Sequence, residues 1–515
     1  MENIDEEHHA MRAALQNPII LEKILQNGSV HGKTARLVSH FWNKIILLSM
    51  PHPKLTLRLD PWGNHACNPI PFQQFCLTME PRLARSITHL DLTGECDDHS
   101  AAQHLSSAES KLLQISGQFG HFIEDLWVDC DHADFIPTTL YKIVQNCLPN
   151  LKRLRVNFVE SLENADEESN INVDFYPCTL HKLISLRIED VTNHPGALKM
   201  TQWLLNSAPN LTYYFSDGNQ LPDFGRNGSL KRVELNVSLI EVSDLQSANF
   251  LRKLNKILDQ VKDTVELFYL RVGRELPYQF ETGIGPRDLH IPRMKKLKEF
   301  ENSALNLFSC GDKLQNIGTA RMPNLQSLWL SACTSDTTLC DLLRNVMKEK
   351  DLFKEVENLH VENLHPVEVI AGLKTPFPKL ENFSIYHDDM YSCLFSKVQS
   401  YLEAFAALGL KYLEIKVLVY VNKDNFSRFI QGFSNFGKLL SSLRGFKIRF
   451  NEKRNDFSED LDLIEDRMAQ MKQWLLQMKG VDDVYISGIR FTRETWEWME
   501  IFIQENKIPI VFKEK

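Results

Sequence analysis

The chain has 515 residues and a formal net charge of −9 at pH 7, and 43% of its residues are hydrophobic. This is the composition of a folded globular protein, and the length exceeds what one hydrophobic core usually organises. The sequence has no lysine- or arginine-rich tract, which argues against binding to nucleic acid or to a membrane surface. We therefore expect either several domains or a solenoid in which each unit packs on its neighbours.

The sequence also predicts a soluble, intracellular protein. No segment approaches the roughly 18 consecutive apolar residues of a membrane span, and the acidic residues 1–7 are unlike a signal peptide. The ten cysteines include no C-x-x-C pair, which is typical of reduced, mostly buried thiols. We expect the protein in the cytoplasm, the nucleus or both.

The first predicted elements lie in residues 15–48, after an amino-terminal tail of residues 1–14. Apolar residues recur with helical spacing on both sides of a turn at residues 28–33, and Pro18 suits a helix start. A module of about 40 residues buries too little apolar surface to offset its chain entropy. We expect it to pack on a partner or on the following domain, to which residues 49–85 connect it.

Residues 86–489 contain a repeated pattern, apolar-x-x-apolar-x-apolar. Fourteen copies, two of them degenerate, begin between Ile87 and Val481, with a mean spacing of about 30 residues. Alternation within each copy predicts a short strand, and helical patterns such as that of residues 251–261 lie between the copies. The pattern predicts an α/β fold, a right-handed leucine-rich-repeat solenoid with a parallel sheet on the concave side of a horseshoe and helices outside.

Residues 490–515 are expected to cap the solenoid, because its last rung needs a cover. Residues 508–512 favour a terminal strand. The residues that predict an amphipathic helix before this strand are Phe491, Trp496, Met499, Phe502 and Ile503.

The order of these elements resembles a known family. Residues 17–25 and 35–42 look like an F-box, and an F-box ahead of leucine-rich repeats is similar to the F-box/leucine-rich-repeat class of substrate receptors. The resemblance implies that the F-box docks on the Skp-type adaptor of a cullin-RING (SCF-type) ubiquitin ligase while the repeats bind a protein substrate. The turn at residues 28–33 is shorter than in the family and lacks its Asp-Leu pair. The resemblance assigns the adaptor-facing and internal apolar surface to Pro18, Ile20, Leu21, Ile24, Leu25, Leu37, Val38 and Trp42.

Two other classes of function stay open at this point. The amino-terminal helices could instead close the first rung of a leucine-rich-repeat scaffold unconnected with ubiquitin. An enzyme is the third alternative, but the sequence has no zinc-protease, paired Cys/His or nucleophile-elbow motif. Residues 28–34 have three residues between the glycines where a phosphate-binding loop needs four. We therefore expect a non-catalytic protein without metal or cofactor.

The expected binding surface is the concave face of the sheet. A sheet that faces only water does not need aromatic residues, whereas aromatic residues and arginines are typical anchors of interfaces. The substrate-binding candidates are Trp127, Arg155, Arg187, Phe215, Trp329, His360 and Tyr386. The first four are expected to form one cluster, whose ligand is either a peptide with an acidic or phosphorylated group or a folded surface. Alternatively, the aromatic side chains pack beneath inserted loops or the cap.

Overall fold

The computed structural model of the protein describes fifteen segments of the chain, apart from positions 115, 177, 226, 363 and 365. The segments are 55–58, 87–92, 113–130, 135–158, 176–191, 195–218, 221–237, 248–272, 290–303, 318–331, 336–387, 398–417, 423–434, 437–450 and 465–513. The predicted helical module of residues 15–48, with its eight adaptor-facing positions, lies outside the described residues. The chain divides into two compact units, Met1–Leu183 and Ile184–Lys515, and each is described by itself.

The described part of the first unit contains parallel strands and helical segments. Each strand pairs in parallel with the next one along the chain. The strands are β1 (Leu55–Arg58), β2 (Ile87–Leu92), β3 (Asp125–Cys130) and β4 (Arg153–Phe158). Helix α1 spans Phe135–Cys147, and a 3-10 turn spans Gly120–Phe122.

The second unit continues the same arrangement with twelve described strands. They pair in parallel in the order of the sequence. They are β5 (Ser185–Val191), β6 (Tyr213–Gly218), β7 (Arg232–Val237), β8 (Leu267–Val272), β9 (Glu299–Asn302), β10 (Ser327–Leu330), β11 (Asn358–Glu362), β12 (Asn382–His387), β13 (Tyr412–Val417), β14 (Gly445–Phe450), β15 (Asp483–Ser487) and β16 (Ile510–Lys513).

Helices lie between many of these strands. They are α2 (Pro195–Ser207), α3 (Ala248–Val261), α4 (Gly318–Arg321), α5 (Asp336–Val346), α6 (Val367–Gly372), α7 (Val398–Leu408), α8 (Lys423–Ser434), α9 (Gly437–Ser442), α10 (Glu465–Gln477) and α11 (Arg493–Asn506), with a 3-10 turn at Met478–Gly480. Within the described segments, none of the helices combines the length and the apolarity that crossing a bilayer requires.

Each of the fourteen predicted rungs overlaps a strand, from β2 to β15. The predicted α/β class with a parallel sheet is therefore confirmed, and the order of pairing is that of a solenoid-like repeat fold. The predicted terminal helix and strand are confirmed as α11 and β16. Strand β1 lies in the segment 49–85, where the repeat pattern predicted no rung.

The core follows from alternation along the strands. In β12, Phe383 and Ile385 are buried, whereas Ser384 and Tyr386 are partly exposed. The apolar residues face the helices: Leu254 of α3 lines the same apolar space as side chains from β8 and β9. Burying a side chain of this size stabilises the fold by about 1.5–3 kcal/mol. One face of the sheet is thus committed to the core.

A recurring backbone arrangement fixes the spacing of the rungs at the amino-terminal ends of the strands, here called the rim. The carbonyl of Lys231 accepts hydrogen bonds from the amides of Glu266 and Leu267, at 2.7 and 3.0 Å. The carbonyl of Glu266 in turn accepts from the amides of Lys298 and Glu299, at 2.8 and 3.2 Å. The arrangement recurs from the turn before β5 to the turn before β14, so each rung is attached to the next before its strand begins.

Candidate protein-interaction face

The strand side chains that alternate with the buried apolar ones form a second face of each sheet, here called the polar face. All seven candidate residues lie on strands and belong to this face. Trp127 and Arg155 lie on β3 and β4 of the first unit, in register with each other. The other candidates, on β5, β6, β10, β11 and β12 of the second unit, are Arg187, Phe215, Trp329, His360 and Tyr386.

In the first unit the candidates form a cation–π pair. The Arg155 guanidinium carbon lies 5.4 Å from the centroid of the Trp127 ring. The Trp127 side chain is 40% exposed, which is high for so large an apolar group. An exposed indole with a cation beside it is the kind of anchor that protein interfaces use.

In the second unit, Arg187 lies 4.3 Å from the centroid of the Phe215 ring. Phe215 is only 7% exposed, and Arg187 also forms an ion pair with Glu189. Phe215 is therefore covered rather than presented, and the charge of Arg187 is compensated within the chain. Each unit therefore contains one of these pairs, Trp127 with Arg155 in the first and Arg187 with Phe215 in the second.

A larger group of charges continues from Phe215 across β7, β8 and β9. The Arg271 guanidinium donates two hydrogen bonds to the carboxylate of Glu301, at 2.7 and 2.6 Å, and lies 3.3 Å from Glu234. Glu234 also pairs with Arg232 at 2.7 Å. Both carboxylates are buried, at 5% exposure each. The arginine lattice, as we call it, comprises Arg187, Phe215, Arg232, Glu234, Tyr269, Arg271 and Glu301.

Aromatic rings separate the arginines of this lattice. The Arg232 guanidinium lies 5.3 Å from the ring centroids of both Tyr213 and Tyr269, and that of Arg271 lies 5.1 Å from Tyr269. Burial, reinforced by nearby Glu234, raises the pKa of Tyr213 to about 12. Burial also raises the pKa of Tyr269, whose hydroxyl donates to Glu299 at 2.6 Å. Both phenols are therefore neutral donors at physiological pH.

The pairing in the lattice limits what this part of the face can bind. An acidic or phosphorylated ligand would have to compete with internal carboxylates for the guanidinium groups of Arg232 and Arg271. Arg232, Tyr269 and Arg271 were not among the residues predicted from the sequence to bind a substrate. The signal was present for two of them, because the rung that begins at Val265 places Tyr269 and Arg271 at the positions that alternate with buried residues.

Four side chains in one register row form a different arrangement on β10–β13, here called the histidine row: Trp329, His360, Ser384 and Glu414. The rings of Trp329 and His360 are 3.6 Å apart between centroids. Burial, and secondarily the charge of Lys416, lowers the pKa of His360 to about 3, so the imidazole is neutral at pH 7. Its Nε2 atom is buried and has no hydrogen-bond partner among the described residues.

The row ends in a shared carboxylate. The Ser384 hydroxyl donates to Glu414 at 3.2 Å, and Lys416 and Arg449 lie 3.5 and 3.2 Å from the same carboxylate. The remaining candidate, Tyr386, is partly buried and lies in register between Glu362 and Lys416. Adjacent strands therefore place an aromatic ring, an uncharged imidazole and a group of charged side chains next to one another.

Within the described segments, no three His, Cys, Asp or Glu side chains are placed to hold a metal ion. No family model matches the chain. No curated protein matches it at a significant level. The description of the face therefore rests on the repeated strands and on the side chains that they place there.

Proposed function

We propose that the protein is the substrate-recognition subunit of an SCF-type ubiquitin ligase. The F-box-like segment, residues 15–48, docks on the Skp-type adaptor, which connects the protein to the cullin. The polar face of a leucine-rich-repeat sheet binds a protein substrate. The subunit is non-catalytic, and it acts in the cytoplasm or nucleus by raising the concentration of its substrate beside the conjugating enzyme.

The observation that supports this proposal is a solenoid-like parallel sheet that follows an F-box-like sequence pattern. One face of the sheet is buried, strand after strand, and the other presents aromatic and charged side chains. Stacked repeats of this kind provide extended surfaces for protein ligands. Trp127, with Arg155 beside it, is the most exposed of the aromatic candidates in the described segments.

The proposal is tested with two pairs of substitutions in the full chain. The first pair, Leu37→Ser with Trp42→Ser, places polar groups in the F-box-like pattern and should abolish retention of the Skp-type adaptor in a pull-down. The second pair, Trp127→Ala with Arg155→Ala, is the matched control on the polar face and should retain the adaptor as the unchanged chain does. Circular dichroism should show unchanged melting of the repeats for the first pair.

A scaffold unconnected with ubiquitin predicts the opposite pattern. The Leu37→Ser and Trp42→Ser pair would then lower the melting temperature of the first repeats, because the amino-terminal helices would serve as their cap. The folded, unchanged chain would retain neither the adaptor nor the cullin. That result would exclude the ligase function.

A further inference from the structure

A groove of about 370 Å³ lies on the rim, beside the turns that precede β6, β7, β8 and β9. Its residues precede the strands, so the groove is distinct from the polar face. Its volume lies within the range of small-ligand sites. The side chains that line it include Thr212, Ser229, Lys231, Thr264, Glu266 and Lys296.

The charges around the groove are unbalanced. Lys298 pairs with the carboxylate of Glu266 at 2.7 Å. In the part of the chain that the structure describes, the ammonium groups of Lys231 and Lys296 form neither an ion pair nor a hydrogen bond. Of the three lysines around Glu266, Lys298 is thus the one that holds its carboxylate. The pKa of Glu266 is lowered, chiefly by its hydrogen bond with Lys298 and more weakly by the charges of Lys231 and Lys296.

The backbone arrangement of the rim fixes the spacing of the turns that carry these lysines. The carbonyl of Lys231 accepts from the amide of Glu266, and the carbonyl of Glu266 accepts from the amide of Lys298. Adjacent parallel strands lie about 4.8 Å apart, so rungs β7 and β9 are separated by roughly 10 Å. Lys296 lies two residues before Lys298 in the turn that precedes β9, so Lys231 and Lys296 come from turns two rungs apart and suit two separate carboxylates rather than one.

We propose that this rim groove binds an acidic segment of a partner protein, with separate carboxylates of that segment on Lys231 and Lys296. Glu266 shows the chemistry that the groove accepts, because it is a carboxylate already held by one of the three lysines. The arginine lattice differs in this respect, since the Arg232 and Arg271 guanidinium groups are bound to internal carboxylates. The groove binds its ligand independently of any ubiquitin ligase.

The test is a fluorescence-anisotropy titration of the full chain with a labelled glutamate-rich decapeptide. Its control peptide carries glutamine in place of every glutamate. The Lys231→Gln and Lys296→Gln variants should each weaken binding about two- to five-fold, the range expected for an exposed charge pair. Glu266→Gln should strengthen binding by a similar factor, because it removes the internal competitor. Raising the salt concentration should weaken binding of the unchanged chain.

Lys379→Gln provides the matched control. Lys379 is also an exposed lysine before a strand, but it already pairs with Glu355 at 2.5 Å, so its loss should leave peptide affinity unchanged. Equal binding of the glutamate and glutamine peptides would overturn the proposal. So would unchanged affinity in a folded Lys231→Gln/Lys296→Gln variant. Inhibition of peptide binding by millimolar inorganic phosphate, with stronger binding of a phosphoserine peptide, would establish a phosphate site instead.

Discussion

The arginine lattice and the histidine row lie on the same polar face of the same sheet, yet they accommodate burial in different ways. The lattice buries the carboxylates of Glu234 and Glu301 and compensates them with Arg232 and Arg271. The histidine row partly buries an imidazole that stays uncharged and packs it against the tilted ring of Trp329. The same strand pattern therefore buries ionisable side chains in two ways, by pairing them with an opposite charge or by keeping them neutral.

The two regions should respond to different perturbations. A buried charge that loses its partner destabilises a protein strongly, because the desolvation cost remains. A buried neutral base instead loses stability when the solution becomes acidic, because the unfolded state takes up a proton that the folded state refuses. The stability of the arginine lattice should therefore respond mainly to substitution of a charged residue. The stability of the histidine row should respond mainly to a fall in pH.

The largest effect is expected for Arg271→Met in the lattice. Glu301 is only 7% exposed as a side chain, and Arg271 is its ion-pair partner in the described structure. Because Arg271 itself is 37% exposed, solvent relieves part of the cost. We expect a loss of about 2–3 kcal/mol in the free energy of unfolding, measured by urea-induced unfolding.

Arg449→Met is the matched control beside the histidine row. Its partner Glu414 is 24% exposed and keeps Lys416 and Ser384, so we expect a loss of about 0.5 kcal/mol. Equal losses for Arg271→Met and Arg449→Met would mean that the two regions do not differ in how they hold their charges.

The pH response of the histidine row should be the next largest effect. The folded-state pKa of His360 is lowered to about 3 from 6.5, so its contribution to stability is complete above pH 6.5 and is lost as the pH falls toward 3. One proton changes stability by at most about 1.4 kcal/mol per pH unit. His360→Gln should therefore flatten the fall in melting temperature between pH 6 and roughly pH 5. The exposed His290→Gln control should leave that fall unchanged, and an equal slope for both variants would contradict the burial of a neutral imidazole.

The smallest effect concerns Asp217, next to the lattice on β6. Burial raises its pKa, a hydrogen bond from Asn236 opposes the rise, and the charge of Glu189 adds to it. The folded state thus favours the protonated acid, so the ionised form costs stability as the pH rises. Asp217→Asn should stabilise the protein by up to about 0.5 kcal/mol at pH 7, with a smaller gain at lower pH, in thermal melts. A loss of stability at pH 7 would show that the ionised carboxylate is needed there.

Much of the fold could be predicted because alternation in short strands is a local property of the sequence. Leu328 and Leu330, for example, identify β10 without knowledge of any other strand. Strand β1 was not predicted because Leu55 and Leu57 match only the last two apolar positions of the repeat, whose first position is occupied by His52. Local pattern therefore suffices for rungs that contain the whole unit.

The arrangement on the polar face could not be predicted in the same way. Arg271 reaches Glu301 on the next strand and Glu234 on the previous one, so its partners depend on register between rungs. Phe215 occupies a position that alternation marks as exposed, but Arg187 from the neighbouring strand covers it. Contacts between residues about 30 positions apart determine which side chains are available.

The backbone hydrogen bonds of the rim keep the spacing between strands independent of the number of residues in each repeat. Strands β6 and β7 begin 19 residues apart, at Tyr213 and Arg232, whereas β14 and β15 begin 38 residues apart, at Gly445 and Asp483. In both cases the amide at the start of the later strand binds the carbonyl just before the earlier one: Arg232 to Thr212 and Asp483 to Arg444, each at 3.0 Å. Insertions and deletions between rungs can thus accumulate in evolution, or be introduced by design, without changing which side chains stand next to each other on the sheet.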